Sequence, residues 1–405
     1  MKSMDEFISV EAARAAVLSA VPLQPVRRMA LGEAQGHTLS EAVLSHDNIP
    51  PFDNSAMDGY AVRAADLAVL PATLRVIEDV PAGSVPQKKV GPGTCTRIMT
   101  GAPFPAGADA VAPVEWTAEN GDSVRFHRCP APGQHVRAAG ADVCEGAEVF
   151  APGRVVTPPV VGMLATLGYA EVAVRVPPRV AVIATGDELV PAAKRPGPGQ
   201  IRNSNGPALA AQVRSAGGDA MAPVVARDNP VSTHRTIEAA LAADVLVFSG
   251  GVSVGKYDFV KPVLEELGME MHFWKVRQRP GKPLAFGMLR GKPVFGLPGN
   301  PVSSAMCFEQ YVRPALARML GRTEVVRPRH PAILDAPVRK VAGLHYFARG
   351  IASFDDEGRI RVRGTGAQGS NIYSSVVRAN CILHLPAPLE HPDAGTPVEI
   401  EWLAW

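Results

Sequence analysis

Hydrophobic and polar positions divide the chain into three textures. Near the N-terminus, small and apolar residues (Ala13, Val17, Leu18, Val21) recur at helical spacing behind Ser9, and Pro22 stops the run. This spacing predicts a helix capped by Ser9 and running through Ala20, because a serine hydroxyl accepts a hydrogen bond from an open amide of the first turn. Between Leu70 and Val149 the pattern shortens to Val-, Ile- and Thr-rich runs: LRVIEDV, TCTRIMT, ADAVAPVEW and SVRFH. Gly and Pro clusters (PAGSVP, GPG, APGQ) separate them, which predicts small antiparallel sheets.

The texture changes at Pro177-Pro178. From Arg179, apolar strands (RVAVIAT, a run ending at Val225, DVLVFSGG, MEMHFWKV, PLAFGML, KPVFGLP) alternate with amphipathic segments (NSNGPALAAQVRSAGG, STHRTIEAALAA, DFVKPVLEELG). A long helix from Pro301 to about Leu320 follows. Such alternation implies a largely parallel sheet covered on both faces. Ligands of these sheets bind in loops beyond the carboxyl ends of the strands, here after Thr185, Phe248 and Leu297. After Arg327-Pro328 the runs RIRVRG, CILHLP and PVEIEW, with no long helix, predict a small all-β terminal domain.

Composition narrows the class. Hydrophobic residues at 46% and charged residues at 20% exclude wholesale disorder. Lys and Arg number 41 against 39 Asp and Glu, too even for a dedicated nucleic-acid or membrane-surface binder. Gly and Pro together make 76 of 405 residues without a Gly-X-Y period, so the chain is rich in tight loops. The five cysteines (Cys95, Cys129, Cys144, Cys307, Cys381) contain no CxxC pair, which fits reduced thiols. Acidic residues stand at positions 5, 6 and 11, where a signal peptide needs a basic start and an apolar core, and no apolar run approaches the ~18 residues of a membrane span. The expected location is the cytoplasm.

The loops carry the candidate chemistry. Phe248-Ser-Gly-Gly-Val-Ser-Val-Gly255 exposes backbone amides without Cβ hindrance, as an anion cradle requires, and Asp258 follows it as a carboxylate able to hold Mg²⁺ or simply cap a helix. Ala184-Thr-Gly-Asp-Glu188 puts two acids at the same sheet edge. Arg279-Pro-Gly-Lys-Pro283, preceded by Lys275 and Arg277, sets four cations in eight positions, which suits a multiply charged anion or a solvated basic hairpin. Gly296-Leu-Pro-Gly-Asn-Pro-Val-Ser303 leads into the long helix with Asn300 as a candidate cap and Pro301 in its first turn. Upstream, Asp53-Asn-Ser-Ala-Met-Asp-Gly59, Thr100-Gly-Ala-Pro103 and Arg137-Ala-Ala-Gly-Ala-Asp142 add acids, hydroxyls and a cation, without the spacing of an EF-hand. No Ser or Cys pairs with His for acyl transfer, and there is neither a P-loop nor a GxGxxG after a strand. The residues themselves point to handling of a phosphorylated or oxyanionic ligand with a divalent metal.

Six motifs then stand in one order: Asp53-Asn-Ser-Ala-Met-Asp-Gly-Tyr-Ala-Val62, Arg97-Ile-Met-Thr-Gly-Ala-Pro103, Thr185-Gly-Asp-Glu-Leu189, Ser249-Gly-Gly-Val-Ser-Val-Gly255, Pro280-Gly-Lys-Pro283 and Gly296-Leu-Pro-Gly-Asn-Pro-Val-Ser303. Together they resemble the MoeA family of molybdopterin molybdenumtransferases, to which the gephyrin E domain belongs. The resemblance extends to Gln368-Gly-Ser370 and Asn380-Cys381.

That resemblance implies a multidomain fold. Residues 1–45 with 146–176 would make a discontinuous N-terminal α+β domain, 46–145 a β-rich insert, 177–326 a three-layer α/β molybdopterin-binding domain, and 327–405 a small barrel-like β domain. It implies insertion of molybdate into adenylylated molybdopterin with Mg²⁺-dependent release of AMP. It also implies an elongated homodimer whose cleft combines domains of both protomers, with transient contacts to the adenylylating enzyme and to molybdoenzyme chaperones. Carried over motif by motif, Asp58, Thr100, Asp142, Glu188, Asp228 and Asp258 would be catalytic, the last three as metal ligands. Arg137, Thr185, Gly186, Asp187, Ser249, Gly250, Gly251, Ser253, Gly255, Pro298, Asn300 and Pro301 would bind substrate. Lys275, Arg279, Lys282, Ser303, Arg349 and Ser370 would receive molybdate. One departure is Arg279, where the family's bacterial pattern often has Lys; it keeps the charge but brings a planar fork. The competing readings are adenylyl transfer to molybdopterin, to which the extra N- and C-terminal domains are foreign, and a scaffold of the gephyrin type.

Overall fold

The computed structural model describes residues 7–251 and 259–404, so Ser253, Gly255 and Asp258 lie outside the described residues. The chain divides into two compact units: residues 41–151 with 158–170, and residues 1–40, 152–157 and 171–405.

The smaller unit is built on a six-stranded sheet in the order Ala110–Pro113, Gly59–Val62, Thr94–Ile98, Ala72–Val80, Ser123–Phe126, Thr117–Asn120. Alternation decides its two faces: Tyr60, Val62, Ala110 and Ala112 pack on one side with Phe126, while Ala61 and Val111 pack on the other with Ile98. The expected antiparallel pattern fails at one pair, because Ala72–Val80 and Thr94–Ile98 run parallel. Their connection through PAGSVP and GPG has the dozen or so residues that a parallel crossover needs, and strand composition carries no sign of direction.

In the larger unit the first helix is Val10–Ala20, with the Ala12 amide donating to Ser9 Oγ at 3.1 Å, and it buries Val10, Ala13 and Val17 as its spacing predicts. The central sheet runs Asp219–Ala220, Arg179–Thr185, Val245–Ser249, Lys292–Leu297, Pro283–Leu289, Glu270–Lys275, with Val224–Ala226 also pairing Arg179–Thr185. Its first half is parallel; the last two strands are antiparallel. Val180 and Val182 face one core and Ala181 and Ile183 the other, so both faces are covered as expected. The long helix after Pro301 is present but interrupted: Pro301–Cys307 and Arg313–Met319 flank a π-helical turn at Phe308–Val312. Pro314 has no N–H to offer the Gln310 carbonyl one turn earlier, and widening the helix there relieves the clash.

Beyond the helix, His330–Leu334, His345–Phe354, Ile360–Gly364, Cys381–Leu385 and Pro397–Trp402 close into a five-stranded barrel, since His345–Phe354 pairs both Ile360–Gly364 and Cys381–Leu385. Gln278–Arg279 adds to its wall in parallel, opposite His345 and Tyr346. The turn that follows is anchored from inside. Gln278 is 1% exposed, its Nε2 donates to the Gly281 carbonyl at 2.8 Å, and its Oε1 accepts from Tyr311 at 2.5 Å. Gly281 itself sits at φ +87°, and a Cβ there would overlap Cys307 Sγ.

Two stability predictions follow from this packing. Gly281→Ala combines a left-handed backbone with a core overlap, and we expect a loss of about 1–3 kcal/mol in denaturant unfolding; an unchanged midpoint would show that the turn yields freely. His345, packed against His384 in the barrel core, is held by burial down to about 3. The unfolded chain takes up this proton near pH 6.5 and the folded barrel does not, so stability present above pH 6.5 drains as pH falls toward 3, at up to about 1.4 kcal/mol per pH unit. Urea unfolding at pH 7, 5.5 and 4.5 should show this slope, and His345→Gln should flatten it.

Candidate functional site

Three loops meet at the carboxyl edge of the central sheet. Thr185 ends one strand, Ser249 the next and Leu297 the third, and the Gly250 amide donates to the Leu297 carbonyl at 3.0 Å. Asn205, at the start of the helix Asn205–Ser215, ties the loops together: its Nδ2 donates to Ser249 Oγ at 2.8 Å and to the Gly299 carbonyl at 2.7 Å. Ser249 is buried, whereas Gly299 and Asn300 are exposed. Asn300 occupies the cap position of Pro301–Cys307 and makes no side-chain capping bond among the described residues. Pro298 is buried behind it.

The acids of this edge are paired across the sheet. The Asp187 amide donates to Asp228 Oδ2 at 3.2 Å and the Asp228 amide to Asp187 Oδ1 at 3.4 Å. Arg227 Nη1 stands 3.8 Å from Asp187 Oδ1. Glu188 folds its carboxylate back over Gly186, where any Cβ would collide with it. Among the described residues no group of three His, Cys, Asp or Glu side chains is arranged to hold a metal ion by itself. The donors are nonetheless all hard oxygens, and Mg²⁺ typically takes one or two carboxylates while keeping waters and substrate phosphates. The residues fit that ion on donor chemistry.

A second centre opens on the barrel side of the same unit. A cavity of about 330 Å³ is lined by Arg279, Arg339, Lys340 and Arg349 together with Tyr346, Gln368, Gly369 and His391, with no acid among its described lining. Arg349 is 1% exposed; its Nε donates to Ser375 Oγ at 3.0 Å and its Nη2 to the Gly369 carbonyl at 3.3 Å. Burial first, and the charge of Arg279 second, bring it down to about 10, so it remains a cation at neutral pH. Arg279 donates to the Tyr346 phenol at 3.3 Å and lies 5.5 Å from that ring's centre. Lys340 is 1% exposed, held by the carbonyls of Ala387 (3.1 Å) and Leu389 (2.5 Å), and burial lowers its pKa. Ser370 joins this centre to the sheet edge, its carbonyl accepting from the Val302 amide at 3.2 Å. Lys275 and Lys282 stand at 5.8 and 4.5 Å from the Phe7 ring, outside the cavity's lining. Ser303 is buried at 4% exposure, with its carbonyl below the Gly281 turn.

In the other unit, Asp58 Oδ1 accepts from both the amide (2.7 Å) and the hydroxyl (2.8 Å) of Thr100, and these two bonds hold the carboxyl below its usual range. Arg137 pairs with Asn54 in a short antiparallel ladder, Asn54 also bridges to Pro103, and the Asp142 amide donates to the Ile49 carbonyl at 2.9 Å. Asp53 Oδ1 accepts from the Ala139 amide at 2.8 Å. The three motif loops of this unit are thus stitched to one another, with Asp58, Arg137 and Asp142 exposed.

Sequence reasoning gave no role to Asn205, Tyr346 or Lys340, and reached Gln368 only as part of Gln368-Gly-Ser370. The two asparagines of NSNG before a helix are a signal for the first. Tyr346 and Lys340 carry none, since Tyr346 meets Arg279 from 67 residues away and Lys340 reaches the same ring.

Comparison with known proteins agrees with this architecture. Residues 8–168 match the MoeA N-terminal region (domain I and II), 181–318 a probable molybdopterin binding domain, and 331–403 the MoeA C-terminal region (domain IV). The chain is 39% identical over 380 residues to molybdopterin molybdenumtransferase 2 of Mycobacterium tuberculosis, covering 91% of this chain and 93% of that one. It is 37% identical over 398 residues to molybdopterin molybdenumtransferase of Haemophilus influenzae, covering 97% and 98%. Among solved structures, a molybdopterin biosynthesis MoeA protein from Pyrococcus horikoshii superposes with a TM-score of 0.84 at 30% identity, covering 98% of this chain and all of that one. With identity at this level across nearly the whole length and all three regions in order, the chain belongs to the MoeA family of molybdopterin molybdenumtransferases.

Proposed function

We propose that this protein transfers molybdenum to molybdopterin in molybdenum cofactor biosynthesis, taking molybdate and adenylylated molybdopterin as substrates and releasing AMP. The observation that carries the reading is the cation-lined cavity around Arg349, joined through Ser370 and Val302 to the loops at the carboxyl edge of the sheet. A tetrahedral oxyanion and a pyrophosphate are both held by such groups, the first by guanidinium forks, the second by loop amides at a helix start.

In this reading Thr185, Gly186, Gly250, Gly251, Asn300 and Pro301 line the path of the pyrophosphate, and Asn205 keeps their loops in register. Arg349 and Arg279 hold molybdate beside the dithiolene sulfurs, so positioning supplies much of the rate. Asp187, Glu188 and Asp228 are the groups that would hold Mg²⁺; bound there, the ion would draw charge from the pyrophosphate and favour cleavage at the adenylate phosphorus. Asp58, Thr100, Arg137 and Asp142 serve the same reaction from a partner copy in a homodimer. No described helix is long and apolar enough to cross a membrane, and we place the reaction in the cytoplasm. We also divide the larger unit into an N-terminal part, the α/β domain and the barrel.

The test is anaerobic AMP release from adenylylated molybdopterin with Mg²⁺, with and without molybdate. Release that requires molybdate supports the reading. Formation of adenylylated product from ATP and molybdopterin would replace it with adenylyl transfer, and no turnover in either assay would leave a binding role. Arg349→Gln removes a charge-assisted hydrogen-bond donor from the cavity and should raise the half-saturating molybdate concentration roughly ten- to a hundredfold. Asp58→Asn keeps the acceptor for Thr100 while removing the charge, and turnover should fall roughly a hundredfold. Arg279→Lys should shift molybdate dependence; an unchanged curve would remove Arg279 from direct contact.

A further inference from the structure

We infer that the larger unit carries a second oxyanion site, remote from the cavity of Arg349. It is a cavity of about 320 Å³ where residues 153–157 meet the chain leaving the last helix of the α/β domain. Its lining shares no residue with the Arg349 cavity.

The argument is one of unbalanced charge. Arg154, Arg313, Arg322 and Arg327 all line this space. Glu309, buried at 4% exposure, is the acid beneath them, and it is already occupied. It accepts from Arg327 Nε and Nη2 at 3.2 and 3.1 Å and from Gln212 Nε2 at 3.1 Å, and Arg313 Nε lies 3.4 Å away. One carboxylate is thus shared by two guanidiniums. Arg322 has no ion pair among the described residues; its Nε donates to Thr38 Oγ1 at 3.4 Å, and its Nη2 lies where a Cβ on Gly217 would stand. Arg154 likewise has no described ion pair. Glu324, exposed at the rim, is the acid of the described lining; with Glu309 beneath, and with Glu401 and Arg14 both acting on Arg313, five cations stand against three acids. Burial lowers the pKa of Arg313 and Arg322, the mark of cations deprived of water.

The chemistry selects the ligand class. Guanidinium forks bind phosphate-like oxygens in pairs, and the hydroxyls of Thr157 and Thr323 in the lining add neutral donors. A tetrahedral dianion meets both demands. The volume sits at the low end of small-molecule pockets, suited to inorganic phosphate or a small phosphate ester. Molybdate shares that shape and charge, so the experiment has to separate the two sources.

Calorimetric titration of the full chain with inorganic phosphate in chloride buffer reads the site, with Arg349→Gln present to silence the other cavity. Binding that Arg322→Gln weakens at least tenfold is the expected result; equal affinity in both proteins overturns the inference. Should Arg322→Gln not fold, Arg154→Gln decides: Arg154 is exposed and unpaired, and its loss should weaken phosphate at least threefold, whereas no change overturns the site. Crystals soaked in tungstate give the structural counterpart. Anomalous density among Arg154, Arg322 and Arg327 supports an oxyanion site, and density confined to the Arg349 cavity overturns it. Displacement of that tungstate by equimolar phosphate identifies phosphate as the natural class; retention identifies the molybdate class. Neither result bears on molybdate-dependent AMP release, so each reading can fail alone.

Discussion

A guanidinium buried at 1% exposure with two neutral oxygens for partners is the constraint around which the barrel side of the larger unit is built. Burying a cation without a carboxylate costs several kcal/mol unless other groups compensate. Arg349 meets Ser375 Oγ and the Gly369 carbonyl, and no described carboxylate pairs it. In the function proposed above, the anionic substrate is what supplies the missing countercharge. The strand bearing Arg349 is paired with Ile360–Gly364, Cys381–Leu385 and Gln278–Arg279, so the backbone that carries the guanidinium is fixed in the barrel wall. Its Gln368 neighbour closes the grip: Gln368 Oε1 accepts from the Arg349 amide and Nε2 donates to the Arg349 carbonyl, both at 2.9 Å.

The sheet edge solves the opposite problem, bringing the backbones of three loops close together. Parallel strands deliver three loops to one edge, and side-chain bulk would keep those loops apart. At Gly250, φ is +93° and a Cβ would stand 2.8 Å from Thr185 Oγ1, so only the bare backbone lets the two loops touch. Asn205 then does with one amide what a covalent link would do, bonding Ser249 and Gly299 together. The reciprocal amide-to-carboxylate bonds of Asp187 and Asp228 hold two acids side by side that repel each other, with Arg227 nearby offsetting part of that repulsion. Acids placed this way suit an ion that arrives with its own charge.

What the sequence displayed follows from range. The helix Val10–Ala20, the apolar central strands and the basic Arg279–Pro283 turn are local patterns, each readable from a dozen neighbouring residues. The π-helical turn before Pro314 was readable in principle, since the proline stands in the middle of an otherwise regular helical run. Strand direction was not: nothing in LRVIEDV or TCTRIMT tells a parallel partner from an antiparallel one. The cavity around Arg349 was legible in part. Arg279, Arg349 and Ser370 came from motifs, whereas Tyr346 and Lys340 enter through barrel closure, which joins segments that no local pattern connects. The pairing of Asp187 with Asp228 spans 41 residues and depends on two strands being neighbours.

Arg279 shows why an exchange between two cations is not neutral here. Its Nη1 donates to the Tyr346 phenol while its plane lies 5.5 Å from that ring's centre, and the same phenol accepts from the Val341 amide at 3.0 Å. Lys340 approaches that ring too, at 5.4 Å from its centre. A flat, delocalised cation can give one edge to the phenol and keep the other for an oxyanion, with little reordering when the anion arrives. An ammonium at the same place presents a single strongly hydrated point, and it must choose between the phenol and the ligand. If Arg279 holds the oxyanion as proposed, the tyrosine is the element that favours arginine at this position, because its hydrogen bond and ring already orient part of the fork, and ordering it then costs less on binding.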